Sequence, residues 1–192
     1  ALDCNDVDVV DLGDGEDPLE ITGHAQESEY DLSNVETLAI NTDGGGASNT
    51  VNAGAFSDIT TFSIDSDNDG DDTTLNGLLD GSSVSITDGA VDDADVIATV
   101  DLNGKNTVGS DDTINVTLNS ADDDGTSSTP ATFEVDDLQV DGYENVKIES
   151  TGEANADNKI DTFTANSVET VTISGDRDLD IDDTVDATKI DA

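Results

Sequence analysis

Apolar and polar residues alternate with a period of two through much of this chain. The alternation is clearest in segments 35–40, 59–64, 114–118, 133–140 and 168–173, which are rich in Val, Ile and Thr. Because successive side chains of a β-strand point to opposite faces of a sheet, we expect these segments to be strands with one buried face. Gly, Asn, Asp and Ser separate them, as is typical of turns, and no segment has the 3.6-residue period of an amphipathic helix. The pattern predicts an all-β protein.

A strand–loop–strand pattern occurs twice in the chain, once within residues 34–75 and again within residues 143–179. This repeat predicts three regions. Residues 1–30 form a leading region, residues 31–140 a first β-rich unit, and residues 141–192 a second, truncated unit.

The alignment of the two copies predicts that Leu38 and Ile40 occupy sites equivalent to those of Val146 and Ile148. Strands recur roughly every 20 to 25 residues, an interval that fits the turns of a solenoid, in which each turn buries its apolar face against its neighbours. We therefore expect a solenoid-like stack of short, largely parallel strands joined by acidic Asp/Gly turns. Repeated β-sandwiches are the alternative, since a period of two does not distinguish parallel from antiparallel pairing.

Acidic residues dominate the charge of the chain. The 192 residues include 47 Asp and Glu against five Lys and Arg, which gives a formal net charge of −42. Such a chain would be repelled by nucleic acid and by anionic membranes, and it has no apolar run long enough for membrane insertion. Mutual repulsion of the acids also requires counter-ions, and Ca²⁺, which prefers six to eight oxygen ligands, is the cofactor that we expect.

One acidic loop has the spacing of a calcium site. Residues 65–70 read DSDNDG and match the first half of an EF-hand-type loop, in which alternate carboxylates precede a glycine that permits a sharp turn. Asn76 stands where the bidentate glutamate of such a loop belongs, so other oxygens must close the shell. The metal ligands predicted here are Asp65, Asp67 and Asp69, with Asp71, Asp72 or backbone carbonyls closing the shell; a solvated acidic turn without metal is the alternative.

A second candidate calcium turn lies near the start of the sequence. Gly13, Gly15, Asp17 and Leu19 have the spacing G-x-G-x-D-x-U-x, where U is a large aliphatic residue, and this is the second part of the calcium-binding nonapeptide of RTX proteins. Asp8 lies nine residues before Asp17 and is the equivalent acid of an incomplete preceding copy. The predicted ligands of this turn are Asp8, Gly13, Gly15 and Asp17.

The composition argues against catalysis. The chain has a single histidine, His24, a single cysteine, Cys4, and no tryptophan. A single cysteine excludes an internal disulfide, and one histidine gives no spacing from which a Ser-His-Asp set could be argued. Pairs of carboxylates arise by chance among 47 acids. We expect a protein that is not an enzyme.

Four segments together resemble the β-rich repeat region of large secreted RTX-type proteins of Gram-negative bacteria, in particular calcium-dependent surface-layer proteins. They read DDTINVTLNSADDDG, FEVDDLQVDGYENVKIESTGEANADNKIDTF, SVETVTISGDRDLDI and ATKIDA. The resemblance implies a secreted, calcium-stabilised structural protein that assembles with copies of itself into a lattice at the bacterial cell surface, with cell-surface polysaccharide bound through other regions. A calcium-stiffened spacer of a large secreted adhesin is the alternative function.

Overall fold

Short β-strands account for nearly all the regular structure of this chain. The computed structural model describes residues 9–11, 18–22, 31–33, 35–42, 48–56, 59–66, 70–88, 96–104, 111–120, 131–153, 156–185 and 187–192. In these ranges the chain forms sixteen strands. Eight belong to one sheet: β2 (Pro18–Thr22), β4 (Thr37–Thr42), β6 (Thr61–Ser66), β8 (Ser83–Asp88), β10 (Thr113–Ser120), β12 (Asn145–Gly152), β14 (Thr170–Gly175) and β16 (Lys189–Asp191).

The other strands lie outside this sheet. Six of them form a second sheet: β5 (Ser48–Val51), β7 (Asp72–Leu78), β9 (Val96–Gly104), β11 (Ala131–Asp141), β13 (Ala156–Ala165) and β15 (Leu179–Ile181). The remaining two, β1 (Val9–Asp11) and β3 (Asp31–Ser33), pair with each other.

The chain passes from one side of the stack to the other after every strand. Even-numbered strands pair only with even-numbered strands, odd-numbered only with odd-numbered, and every pairing is parallel. The protein is therefore an all-β solenoid in which two successive strands make one turn, and we call this turn a rung. The parallel pairing confirms the predicted stack of short strands.

Apolar side chains of successive rungs are stacked in columns between the two sheets. One column joins the fully buried Leu38, Phe62, Val84, Val116 and Ile148 through consecutive register pairs. Burying each such side chain contributes about 1.5–3 kcal/mol, and no rung could bury its inner face without a neighbour. The core is thus continuous along the stack.

Each predicted copy pairs its two strands in the same way, since Leu38 is paired with Phe62 as Val146 is with Val171, and Ile40 with Ile64 as Ile148 with Ile173. Along the stack, however, the columns of the two copies are offset by two residues. Leu38 lies in the column that contains Ile148, whereas Val146 is paired with Ile114 and Val171 in a different column. Self-comparison of the sequence finds which segments are strands, but only the hydrogen-bonded register shows which residues are stacked. The boundaries proposed for the three regions of the chain stay predictions.

The length of a rung varies widely. Pro18 is paired with Thr37 on the next rung, whereas Ile97 is paired with Val135, and the second pair encloses about twice as much chain as the first. Loops at the corners of a solenoid can lengthen without disturbing the strands, since they lie outside the packed core. The interval predicted between strands is therefore too narrow.

Helical structure among the described residues is limited to a short 3-10 turn at Ala53–Ala55. None of the helical segments in this part of the chain has the length and apolarity needed to cross a bilayer. The turn packs against β7 at Gly77, where an added Cβ would lie 2.9 Å from the Cα of Gly54 and the φ angle is +80°. Gly77 therefore permits the close contact between the turn and the strand.

The outer faces of the two main sheets differ in charge. Strands of the six-stranded sheet contain nine acidic residues and one basic residue, whereas strands of the eight-stranded sheet contain five acidic and two basic residues. On β4, β6, β8 and β10, the outward positions form three columns in which only Asp65 is charged. We call these positions the hydroxyl face, and they are Thr37, Ala39, Asn41, Thr61, Ser63, Asp65, Ser83, Ser85, Thr87, Asn115, Thr117 and Asn119.

Candidate cation-binding sites

The predicted acidic loop connects the two main sheets. Asp65 lies in β6, Asp71 directly precedes β7, and Asp72 is its first residue, whereas Asp67 and Asp69 lie outside the described residues. Gly70 has a φ angle of +85°, which supports its predicted role in a sharp turn.

The three described acids of this loop have different surroundings. Asp65 is half-buried on the hydroxyl face, and Asp71 is fully buried. Asp72 is half-buried and accepts a hydrogen bond from Ser48 Oγ at 3.2 Å. Within the described ranges these three carboxylates do not form a cluster in which every ligand atom lies within 4.8 Å of the others. The loop remains a predicted calcium site that depends on Asp67 and Asp69.

The predicted RTX-type turn lies outside the described residues. This applies to all four of its proposed ligands, Asp8, Gly13, Gly15 and Asp17. The adjoining strand β2 begins at Pro18, directly after Asp17, and Leu19 packs partly buried against the core.

Acidic residues of consecutive rungs are stacked at the corner that precedes the even-numbered strands. The carbonyl of Asp112 accepts the N–H of Glu144 at 3.2 Å, and the carbonyl of Glu144 accepts the N–H of Glu169 at 2.8 Å. Asp80 joins them through its Oδ1, which accepts the N–H of Thr113 at 2.8 Å. We call Asp80, Asp112, Glu144 and Glu169 the carboxylate ladder. Strand spacing puts the backbones of successive members about 4.8 Å apart.

Repulsion within the ladder affects its central member. The pKa of Asp112 is raised by burial and, to a smaller extent, by the charges of Glu144, Asp80 and Asp111. Its N–H donates to Glu144 Oε2 at 3.1 Å, but its own buried Oδ2 has no hydrogen-bond partner among the described residues. Like charges directly opposite each other on neighbouring strands are destabilising, so cations near this corner would relieve a repulsion that the fold itself creates. As in the acidic loop, no three carboxylates of the ladder have ligand atoms that all lie within 4.8 Å of one another.

A second acidic group lies on the outer face of the six-stranded sheet. Carboxylate oxygens of Glu134, Asp136 and Asp161 all lie within 4.8 Å of one another and could hold a metal ion. Lys159, which is paired in register with Glu134, extends its Nζ to 3.3 Å from Glu134 Oε1. The same Nζ contacts Asp161 and lies 3.4 Å from Asp182 Oδ2. One ammonium group therefore pairs with three carboxylates beside a fourth, that of Asp136, which leaves an excess of negative charge.

The carboxylates around Lys159 differ in the direction of their pKa shifts. The hydrogen bond from Lys159 lowers the pKa of Asp161, and the same bond raises the pKa of Lys159. Burial raises the pKa of Glu134, and the attraction of Lys159 offsets this only in part. Asp136 is exposed and has no ion pair among the described contacts, so it is the carboxylate most open to a cation from solution.

Sequence reasoning missed both groups of acids. The members of the carboxylate ladder come from different rungs and are far apart along the chain, so no local motif joins them. Glu134 and Asp136 do alternate along one strand, which is a usable signal, but their contact with Asp161 depends on the register of β11 and β13. Carboxylates contributed one per rung become recognisable only when the length of each rung is known.

Comparisons with protein-family models, with curated proteins and with solved structures gave no match to this chain. The solenoid fold and the acidic sites therefore have to be interpreted from their own geometry.

Proposed function

We propose that this chain is a structural subunit of a calcium-dependent surface layer outside a bacterial cell, without catalytic turnover. The observation that carries the proposal is the carboxylate ladder, in which acids of successive rungs are stacked about 4.8 Å apart along the solenoid axis. Counter-ions that offset the repulsion between these acids would stabilise the stacking of rungs. The stability of the stack would then depend on cations.

Calcium fits this role better than a monovalent ion. Ca²⁺ is a hard cation that takes oxygen ligands in flexible geometry, and extracellular calcium sites typically bind at roughly 0.1–1 mM. A chain with a net charge of −42 would resist folding and association where calcium is scarce. After export, calcium bound at the group around Glu134, and calcium ions that neutralise the carboxylate ladder, would allow both.

The experiment is a comparison of cations at matched ionic strength. The purified chain is freed of metal by a chelator and then titrated with CaCl₂, MgCl₂ or NaCl, while thermal unfolding, light scattering and electron micrographs are recorded. We expect millimolar Ca²⁺ to raise the melting temperature and to produce ordered assemblies, and excess chelator to reverse both effects. Equal effects of NaCl at the same ionic strength would show that only screening is involved, and assemblies that persist unchanged in chelator would contradict the proposal.

A spacer region in a large secreted adhesin is the second candidate function. The observation that favours it is the one-dimensional stacking of rungs, because the eight-stranded sheet extends roughly 35 Å along the axis at the spacing of β-strands. Calcium would then stiffen a rod that does not associate laterally. Small-angle scattering that shows a monomeric rod in calcium, with no assembly at any protein concentration, would favour the spacer over the lattice.

A further inference from the structure

The hydroxyl face is an extended surface of the described solenoid on which acidic residues are almost absent. Its twelve positions have a formal charge of −1, due to Asp65, in a chain whose net charge is −42. By contrast, the strands of the six-stranded sheet contain nine acids and one base. The distribution of charge is thus strongly asymmetric between the two sides of the stack.

This asymmetry decides which surface can approach a second copy of the chain. Two six-stranded faces would bring many carboxylates within a Debye length of about 8 Å, where repulsion is only weakly screened. The twelve positions of two hydroxyl faces would bring together one carboxylate from each copy, with the acids of the carboxylate ladder at the edge of the contact. Among the described surfaces, contact through the hydroxyl face therefore meets the least electrostatic opposition.

The chemistry of the face also suits contact with itself. Parallel, in-register strands align short Ser, Thr and Asn side chains in columns, and such columns can interdigitate in a dry interface between paired sheets. Each hydroxyl and amide group both donates and accepts hydrogen bonds, so the same surface can be its own partner across a two-fold axis. None of the twelve positions holds an aromatic residue, which disfavours a sugar-stacking surface.

We propose that the hydroxyl face is the lateral contact between two copies of this chain. The inference rests on the proposed function and names the surface through which that assembly forms. Four strands with about five residues each cover roughly 300 Å², less than half of the approximately 800 Å² per partner of a stable dimer. An isolated pair is therefore weak, and the contact acts when many copies repeat it in one array.

The first test adds charge to the centre of the face. In one variant Ser63→Asp and Thr117→Asp place two carboxylates in its middle column, and the matched control adds two to the six-stranded sheet through Thr74→Asp and Thr164→Asp. We expect the face variant to need at least about tenfold more protein for assembly in calcium, because juxtaposed like charges oppose the contact strongly. We expect the control to assemble much as the unmodified chain does, with circular dichroism confirming that both variants fold.

The second test measures proximity in the chain itself. Ser85→Cys, in a Cys4→Ser background, places a thiol at the centre of the face, and Thr74→Cys in the same background is the control. A short thiol-to-thiol cross-linker should join two copies of the Ser85→Cys variant preferentially, since a two-fold contact brings equivalent residues together.

The outcomes separate this inference from the proposed function. Calcium-dependent assembly that the two Asp variants weaken equally, or not at all, overturns the inference and leaves the proposed function in place. If calcium produces no assembly, the proposed function fails, and cross-linking that favours Ser85→Cys still supports the contact. Equal cross-linking of Ser85→Cys and Thr74→Cys overturns the proposed contact. A Ser63→Asp, Thr117→Asp variant that assembles normally and has lost only the binding of a polysaccharide would overturn it as well.

Discussion

Gly175 provides the sharpest test of how the rungs are held together at the corner that follows the even-numbered strands. It is the last residue of β14, has a φ angle of +127°, and is paired with Ser150 of the preceding rung. A Cβ at this position would lie 1.9 Å from the carbonyl oxygen of Ser150. That oxygen accepts the N–H groups of Asp176 at 3.0 Å and Arg177 at 3.2 Å, so it cannot turn away without weakening both bonds.

The cost of Gly175→Ala follows from these two features. A non-glycine residue in so sparsely populated a backbone conformation costs about 1–3 kcal/mol. Separating the rungs to make room for the methyl group weakens two hydrogen bonds, worth about 0.5–1.5 kcal/mol each. We therefore expect a loss of about 2–6 kcal/mol in unfolding free energy.

The effect should be local because each rung contacts only its neighbours. Ser150 also receives a hydrogen bond from Asn158 Nδ2 at 2.8 Å, so the disturbance extends to β13. Urea unfolding gives the total loss, and hydrogen exchange should show faster exchange in β12 to β16 while β4 to β8 are unchanged. The control is Gly81→Ala, where φ is +78° and nothing lies within 4 Å of the added Cβ, so only about 1–2 kcal/mol of backbone strain is expected. Similar losses for the two variants would refute the reasoning from close contact.

Three further predictions concern buried polar groups and ion pairs. Thr73→Val should stabilise the fold by about 1 kcal/mol, since the buried Thr73 Oγ1 has no partner among the described residues. Thr151→Val should destabilise it by about 0.5–1.5 kcal/mol, because it loses a 3.1 Å hydrogen bond to the carbonyl of Leu118. Urea unfolding that shows Thr73→Val to be destabilising, or Thr151→Val to be stabilising, would contradict this. Lys159→Gln should increase the gain in melting temperature from Ca²⁺, because it removes the ammonium that neutralises the surrounding carboxylates, and Lys147→Gln should change that gain less. Because the fold lowers the pKa of Asp161 and raises that of Lys159, their ion pair should stabilise the fold between about pH 4 and pH 10, and the stability difference between wild type and Lys159→Gln should shrink outside this range.

Fold class could be predicted because alternation is a local property of the sequence. Each segment such as 114–118 displays its buried face within a few residues, and stacking follows because no single rung can bury that face alone. Parallel pairing and register are not local. The two-residue offset that places Leu38 in the column of Ile148 is set by the register of the strands that lie between them in the stack.

The candidate sites were harder to predict for the same reason. A motif such as DSDNDG places its ligands on one short loop, where spacing alone is informative. The carboxylate ladder draws Asp80, Asp112 and Glu144 from three separate rungs, and what makes them neighbours is the hydrogen bonding between strands. In a chain with 47 acids, the spacing of residues along the sequence could not distinguish these acids from those that lie alone in solvent.

The separation of charge between the two sheets links the proposed calcium dependence to the proposed contact. If acids were spread evenly over both outer faces, bound calcium would have to neutralise every surface before two copies could meet. Acids gathered at the corners and on the six-stranded sheet would confine the proposed need for calcium to the stacking of rungs, while the hydroxyl face would need no calcium for its own contact. The two kinds of contact should then respond differently to salt. Monovalent salt should have little effect on cross-linking of Ser85→Cys in calcium, whereas chelation should abolish it by loosening the strands that hold the face in register.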